Sequence, residues 1–296
     1  MKICFTHHDL DGLVSYLVLK WFHPNEVIEL KCSQAKEFCN DWKKWANTVD
    51  ISKYDKIYIL DLDVQGCIDL IDKKNVVIID HHETHFREVD KYKKASALVK
   101  VYPSAAKLCY KIFSKLYPDV QLTDAQKKLI ILADDYDSYT LALEDSKRLN
   151  DLLWNTQSAS EVFPKWFANG FYGFNTQQLT IIKQHENKVQ NIKEKLVIYA
   201  GDIKIQNKVR RICAAFASDA INEIADHLKH NYDAEIAIVV NTKNNSVSFR
   251  KWDHESDIDV SILAQKIADG GGHKYAAGGK ITETFMEFTK LLKPIE

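Results

Sequence analysis

The apolar runs in the first third of the chain are short, and each is cut off by acids or histidines. Lys2 to Thr6 reads as a strand running into His7-His8-Asp9-Leu10-Asp11-Gly12. Leu13 to Phe22 has helical spacing, with Leu13, Leu17 and Trp21 on one face and Pro24 ending it. Glu26 to Cys32 alternates as a second strand. Ala35 to Ala46 reads as a helix carrying Phe38, Trp42 and Trp45. Lys56 to Leu60 is a third strand and delivers Asp61-Leu62-Asp63. A helix near Gly66 to Lys73 leads to a fourth strand within Asn75 to His82. Its four β-branched residues in a row suit a strand buried on both faces of a parallel sheet. It delivers Asp80, His81 and His82. Strands alternating with helices predict a doubly wound, mostly parallel α/β sheet. Such sheets bind ligands beyond the carboxyl ends of their strands.

From Ser104 the period becomes helical. Ser104 to Tyr117 is one helix, closed by Pro118. Thr123 and Gln126 form a capping box for another, reaching about Ala133 and followed by Asp134-Asp135-Tyr136-Asp137. Ser158 with Glu161 offers a cap for a further helix. Thr176 to Leu196 reads as one long helix, with Leu179, Ile182, Val189, Ile192 and Leu196 as a buried stripe. After Gly201 a second α/β pattern begins. Its strands are Arg211 to Phe216, Ala234 to Val240 and Ser246 to Arg250, and its helices Ser218 to His230 and Asp259 to Ala268. The expected architecture is two α/β lobes: residues 1–175, a connecting helix over 176–200, and a smaller lobe over 201–296.

Five of the ten glycines fall within Gly270 to Gly279. A cluster that dense marks unusual torsions or close backbone approach. Three adjacent glycines, Gly270, Gly271 and Gly272, expose amides that can cradle a phosphate, and His273 follows them.

Composition narrows the function. With 46% hydrophobic and 27% charged residues the chain is an ordinary globular protein. No apolar stretch approaches the roughly 20 residues of a membrane span, and His7, His8, Asp9 and Asp11 rule out a signal-peptide core. The six cysteines form no C-x-x-C pair. They read as reduced core residues of a cytoplasmic protein. A net charge of −1 disfavours binding long nucleic acid by many phosphate contacts, and leaves short oligonucleotides open.

The strand ends deliver His7, Asp9, Asp11, Asp61, Asp63, Asp80, His81 and His82, and Asp134 or Asp135 can join them from a helix end. So many carboxylates in one cleft repel each other unless cations neutralise them. Carboxylates with imidazoles and no thiolate suit Mn²⁺ or Mg²⁺. The set is large enough for two ions sharing a carboxylate, the arrangement that hydrolyses phosphoesters. No G-x-x-x-x-G-K-[ST] loop and no serine or cysteine nucleophile with a base is evident.

As a set, these motifs resemble those of the DHH phosphoesterase superfamily with the DHH-associated C-terminal domain. The chain is similar to the oligoribonucleases (nanoRNases) and RecJ-like exonucleases. His7-x-Asp9-x-Asp11-Gly12, Asp61, Asp80-His81-His82 and Asp134-Asp135 resemble the four motifs of the first lobe. Arg250 and Gly270-Gly271-Gly272-His273 with Ala276-Ala277-Gly278 resemble the signature of the second. The resemblance implies one metal held by His7, Asp9 and Asp61, and another by Asp11, Asp61, His81 and Asp135. His8 could exchange with His7, and Asp134 with Asp135. It further implies that Asp80 orients a ligand, that His82 touches the scissile phosphate, and that Arg250, the glycine amides and His273 bind a terminal phosphate or nucleotide. Asp63 is expected to be structural and His85 solvated. Phe249, Trp252 and Tyr275 are candidates for base stacking. The activity implied is Mn²⁺-dependent hydrolysis of short oligonucleotides to mononucleotides by a metal-bridging hydroxide, with Mg²⁺ the alternative ion and a homodimer allowed. The other readings are a cyclic or linear dinucleotide phosphodiesterase, a 3′-phosphoadenosine phosphate phosphatase, and a non-catalytic nucleotide-binding module.

Overall fold

The β-branched runs near the N-terminus become the strands of a single sheet whose two faces are both covered. The computed structural model describes residues 1–205, 208–251, 257–272 and 274–295. The chain divides into two units, Met1–Lys183 and Gln184–Glu296. The boundary falls inside the helix Thr176–Lys193.

In the first unit the strands are β1 (Lys2–Thr6), β2 (Ile28–Cys32), β3 (Lys56–Leu60), β4 (Val76–Asp80) and β5 (Ser96–Val99). They lie in the order β2-β1-β3-β4-β5, with every neighbouring pair parallel. Because side chains alternate along a strand, the central strands β1, β3 and β4 each feed two cores. Cys4, Tyr58, Leu60 and Ile79 join Leu13, Leu17 and Phe22 of the helix Leu10–Phe22. Ile3, Phe5, Ile57, Ile59 and Ile78 join Phe38, Trp42 and Trp45 of the helix Phe38–Ala46. The Phe5 ring lies 5.0 to 5.7 Å from the three aromatics of that helix. The helices Ala105–Leu116, Asp124–Asp137 and Glu144–Trp154 complete the first core.

Several elements depart from the sequence reading. The Thr123–Gln126 capping box forms, but its helix runs one turn beyond Ala133, to Asp137. Ser158 caps nothing with its side chain: it adopts a left-handed φ of 50° before the helix Ala159–Trp166. β5 was not expected, because Ser96–Val99 is short and half exposed as an edge strand.

Two cysteines are not reduced. Cys39, in the helix Phe38–Ala46, and Cys67, in the turn after β3, are joined as a disulfide with Cα atoms 5.6 Å apart. They are 28 residues apart in sequence, so only the fold brings them together. Cys4, Cys32, Cys109 and Cys213 are free thiols. Denatured, unreduced protein is therefore expected to titrate four thiols rather than six. Cys39→Ser should lower stability by about 3.6 kcal/mol, the loop-closure value for a bridge of this span. Thermal melts with and without dithiothreitol check this: the reductant lowers the melting temperature of the parent but not of the variant.

The second unit contains β6 (Ile198–Ile205), β7 (Lys208–Phe216), β8 (Ile236–Asn241), β9 (Ser246–Arg250), β10 (Gly271–Gly272), β11 (Ala276–Lys280) and β12 (Lys293–Ile295). They form one mixed sheet in the order β10-β11-β9-β8-β7-β6-β12, in which only β7 and β8 pair in parallel. Its faces are covered by the helix Ile221–Tyr232 on one side, and by Val260–Ala268 and Glu283–Thr289 on the other.

Candidate metal centre

The sheet order sets the location. From β1 the chain first adds β2 on one side, then crosses to β3 on the other. The β1/β3 boundary is thus the switch point where an open parallel sheet leaves a crevice beyond its carboxyl ends. Thr6 pairs with Leu60, and Leu60 with Ile79. The segments starting at His7, Asp61 and Asp80 therefore leave the sheet side by side.

Asp9 caps the helix Leu10–Phe22, its Oδ1 accepting from the Gly12 amide at 3.0 Å. Gly12 admits no side chain, since a Cβ would sit 2.3 Å from the His7 carbonyl oxygen. His7 Nδ1 donates to Asp9 Oδ2 at 2.6 Å. Burial works against both charges, but this bond prevails. It raises the His7 imidazole and lowers the Asp9 carboxyl relative to their ordinary values.

Asp11 accepts from the amides of Ala105 at 2.6 Å and Ala106 at 2.9 Å. These open the helix Ala105–Leu116, whose terminal amides favour an anion. Burial nevertheless pushes the Asp11 carboxyl up to about 6. Asp61 follows β3 in a left-handed conformation, φ 53°, with its amide donating to the Ile79 carbonyl at 3.0 Å. A non-glycine residue there is strained, and here it turns a carboxylate into the crevice. Burial, and then the neighbouring Asp11, Asp9 and Asp137, drive the Asp61 carboxyl well above its ordinary value.

His81 is the hub. Its Nδ1 donates to the Tyr102 carbonyl at 3.0 Å. That fixes the ring and turns Nε2 toward three carboxylates: Asp61 at 3.4 Å, Asp137 at 3.5 Å and Asp11 at 3.7 Å. Burial and the charges of Asp11 and Asp9 push the Asp137 carboxyl up to about 9. Asp80 is fully buried and spans two imidazoles, with Oδ1 on His82 Nδ1 and Oδ2 on His85 Nδ1, both at 2.7 Å. Burial would raise the Asp80 carboxyl, but the two rings hold it far below its ordinary value. The same bond outweighs the burial of His82 and lifts that imidazole to about 9.

Besides a set of Asp61, Asp80, His81 and His82, potential ligand atoms within 4.8 Å of one another gather at the crevice as His7 with Asp9 and Asp61, and as Asp11 with His81 and Asp137. Asp61 touches both, through its place in the first and its contact with His81 in the second. Oxygen and imidazole donors without thiolate, with the Asp11, Asp61 and Asp137 carboxyls raised by burial and then by mutual repulsion, fit hard divalent cations such as Mn²⁺ or Mg²⁺.

No curated protein matches the chain in sequence. Residues 206–295 match the family model of the DHHA1 domain. The whole chain superposes on three solved structures. The pGpG-specific phosphodiesterase PggH of Vibrio cholerae is 15% identical, with a TM-score of 0.61 over 98% of this chain and 96% of that one. The exonuclease RecJ bound to manganese is 11% identical, with a TM-score of 0.58 over 97% and 87%. An exopolyphosphatase-related protein of Bacteroides fragilis is 15% identical, with a TM-score of 0.52 over 98% and 90%. The second unit is thus similar to a DHHA1 domain, and the whole chain shares the fold of these structures. The triplet Asp80-His81-His82 lies at the end of β4. Among the described residues no helix is long and apolar enough to cross a membrane.

The fourth motif requires a correction. Asp135 does not reach the crevice. It is buried and accepts from the amides of Ala142 at 3.0 Å and Leu143 at 3.1 Å, and from the Ser146 hydroxyl. Asp134 is held by Ser104 and Lys107. Asp137 takes the place at His81 because the helix continues a turn further, and each residue advances the side chain by about 100°. Asp63 accepts from Gln65 and Thr84. His8 contacts Gln34 and Trp154, while His7 faces the acids. His85 is not solvated but fully buried, with Nε2 2.8 Å from the Tyr92 hydroxyl.

In the second unit Arg250 is held by Asn222, whose Oδ1 lies 3.2 Å from its Nε and 3.1 Å from Nη2. The glycines serve backbone approach. A Cβ on Gly270 would sit 2.0 Å from the Gly278 carbonyl oxygen, and one on Gly279 would sit 2.3 Å from that of Ala268. Gly271 alone of the Gly270–Gly272 run has open space around such a Cβ. Phe249 is core rather than a stacking surface, and Tyr275 is partly exposed with Lys251 and Lys274 over its ring. His273 and Trp252 lie outside the described residues.

Proposed function

We propose that the chain is a metal-dependent phosphodiesterase of the DHH superfamily acting on short linear nucleotides, with Mn²⁺ the preferred ion. The observation that carries the reading is the environment of His81. Its Nδ1 is committed to a backbone carbonyl, and Nε2 confronts three carboxylates within 3.7 Å. Orienting an imidazole through its other nitrogen is the usual support of a metal-ligating histidine. His7, Asp9 and Asp61 would hold one cation, and Asp11, Asp61, His81 and Asp137 the other. Such ions supply Lewis acidity and a water of lowered pKa. The chain itself does the rest. Asp80 fixes His82 and keeps it protonated near neutral pH, so His82 can donate to a phosphoryl oxygen or to the departing alkoxide. The amides of Ala105 and Ala106 hold Asp11 in place. In the DHHA1 domain, Arg250 and the Gly271 amide are suited to a terminal phosphate, Arg250 because Asn222 orients its fork. The similarity of fold to PggH, a pGpG-specific phosphodiesterase, and to the exonuclease RecJ supports the same class.

The test is chromatographic product analysis with Mn²⁺ on pGpG, a five-residue RNA, a cyclic dinucleotide, long single-stranded DNA and 3′-phosphoadenosine phosphate, using Asp61→Asn as blank. Mononucleotides from pGpG or the short RNA, absent in the blank, are expected. Cleavage of the cyclic dinucleotide alone would move the reading to a ring-opening phosphodiesterase. No turnover with any divalent ion would overturn it.

A further inference from the structure

Half the surface of one indole next to the metal centre is open to solvent, and the ring is nonetheless locked. Trp154, the last residue of the helix Glu144–Trp154, is 54% exposed. Its Nε1–H does not point to water but donates to Asn150 Oδ1 at 3.0 Å. Asn150 is buried, and its Nδ2 donates to the Tyr136 hydroxyl at 2.8 Å, one residue from Asp137. One edge of the indole is therefore tied to the helix that supplies an acid of the centre.

The ring also meets His8. The His8 and Trp154 centroids are 5.2 Å apart with planes at 84°, and His8 and His7 meet likewise at 4.8 Å and 72°. Gln34 stands between the two imidazoles, 2.8 Å from His8 Nε2 and 3.3 Å from His7 Nε2. An aromatic wall thus runs from the ligand His7 through His8 to Trp154. Every ring in it is held by a side-chain hydrogen bond.

We propose that the exposed face of Trp154 is a stacking platform for the nucleobase of a nucleotide whose phosphate lies at the metal centre. The proposal rests on the phosphodiesterase reading for the position of the phosphate, and adds what that reading lacks, a contact that recognises a base. A flat, oriented, half-exposed indole suits any base, because every base has a π-face, so the platform favours nucleotides over other phosphoesters without choosing a sequence. Pre-set orientation means that little side-chain freedom is lost on binding.

The test separates binding from chemistry. Trp154→Ala is expected to raise KM for pGpG by about 5- to 100-fold, the range for loss of one base–aromatic stack, with kcat within about threefold. A dinucleotide lacking both bases should be cleaved equally by parent and variant. Trp154→Phe should recover most of the loss. Trp154→Leu, which keeps apolar bulk without a π-face, carries the same expectation as Ala should that variant fail to fold. An unchanged KM, or an equal loss on the base-free substrate, would overturn the platform. GMP binding by calorimetry distinguishes this failure from failure of the phosphodiesterase reading. Weaker GMP binding in the variant with no turnover by the parent would sink the hydrolase and keep the platform. Equal GMP binding would sink the platform in an active enzyme.

Discussion

Asp61→Asn is expected to reduce Mn²⁺-dependent phosphodiester hydrolysis by about 10³-fold or more, equivalent to about 4 kcal/mol at 1.36 kcal/mol per decade. Asp61 is the carboxylate both ligand sets touch. Asparagine tolerates the left-handed backbone and keeps a similar shape, so the loss is chemical rather than structural. The same change should make the metal-free protein more stable. Buried among Asp11, Asp9 and Asp137, Asp61 holds its proton far above the ordinary carboxylate value. Asp11 and Asp137, raised from 3.8 to about 6 and about 9, do the same. The folded state thus binds protons that the unfolded chain has released, and metal-free stability falls as pH rises from about 4 to about 9. Divalent ions displace those protons, so Mn²⁺ should raise the parent's melting temperature more at pH 8 than at pH 6. In Asp61→Asn the metal-free melt should be higher and the Mn²⁺ shift mostly lost. A variant that keeps an undiminished Mn²⁺ shift would remove Asp61 from the ligand set.

The second large effect is on folding. Asp80→Ala strands the Nδ1–H groups of His82 and His85, one of them fully buried. Removing one member of a buried charged pair costs about 3–5 kcal/mol, measurable by urea denaturation at pH 6. The pH dependence has a defined shape. Asp80 is depressed below 3.8, so its contribution is present above that value and fades as pH falls through the folded one. His82 is raised from 6.5 to about 9, so its contribution is full below 6.5 and is lost as pH rises through 9. The gap between parent and variant should be widest from about pH 4 to 6.5. Asp80→Asn should cost less, since an amide oxygen can still accept from one imidazole. A gap that does not vary with pH would mean that Asp80 acts through packing alone.

Most of the first unit was legible because its signals are local. A β-branched run ending in Asp80-His81-His82 can be little else than a buried strand with its polar residues at the carboxyl end. The Thr123–Gln126 box marks its helix start to the residue. What failed depended on distance. The end of that helix has no stop signal, so the choice lay between Asp134 and Asp135, and Asp137, which meets His81 one unmarked turn further on, was passed over. The Cys39–Cys67 bridge, and the burial of His85 beneath Asp80, are products of tertiary contact with no sequence pattern. The glycine cluster was read both as close backbone approach and as an anion cradle, and the first holds where a Cβ at Gly270 or Gly279 would collide with backbone. Close strand packing explains those two, while Gly271 keeps open space and Gly278 ordinary contact.

The grips on His81 and Asp11 come from three peptide groups rather than side chains: the Tyr102 carbonyl on His81, and the Ala105 and Ala106 amides on Asp11. Alanine scanning would pass over all three, because it leaves the main chain intact and two of the positions are already alanine. Imino-acid scanning would not. Ala105 is the first residue of its helix, the position where proline is ordinarily welcome for want of any bond to lose. Here the amide has a task, so Ala105→Pro is expected to keep the helix, by circular dichroism, and to weaken Mn²⁺ binding by about 10- to 100-fold, the usual effect of losing a partner of a metal ligand.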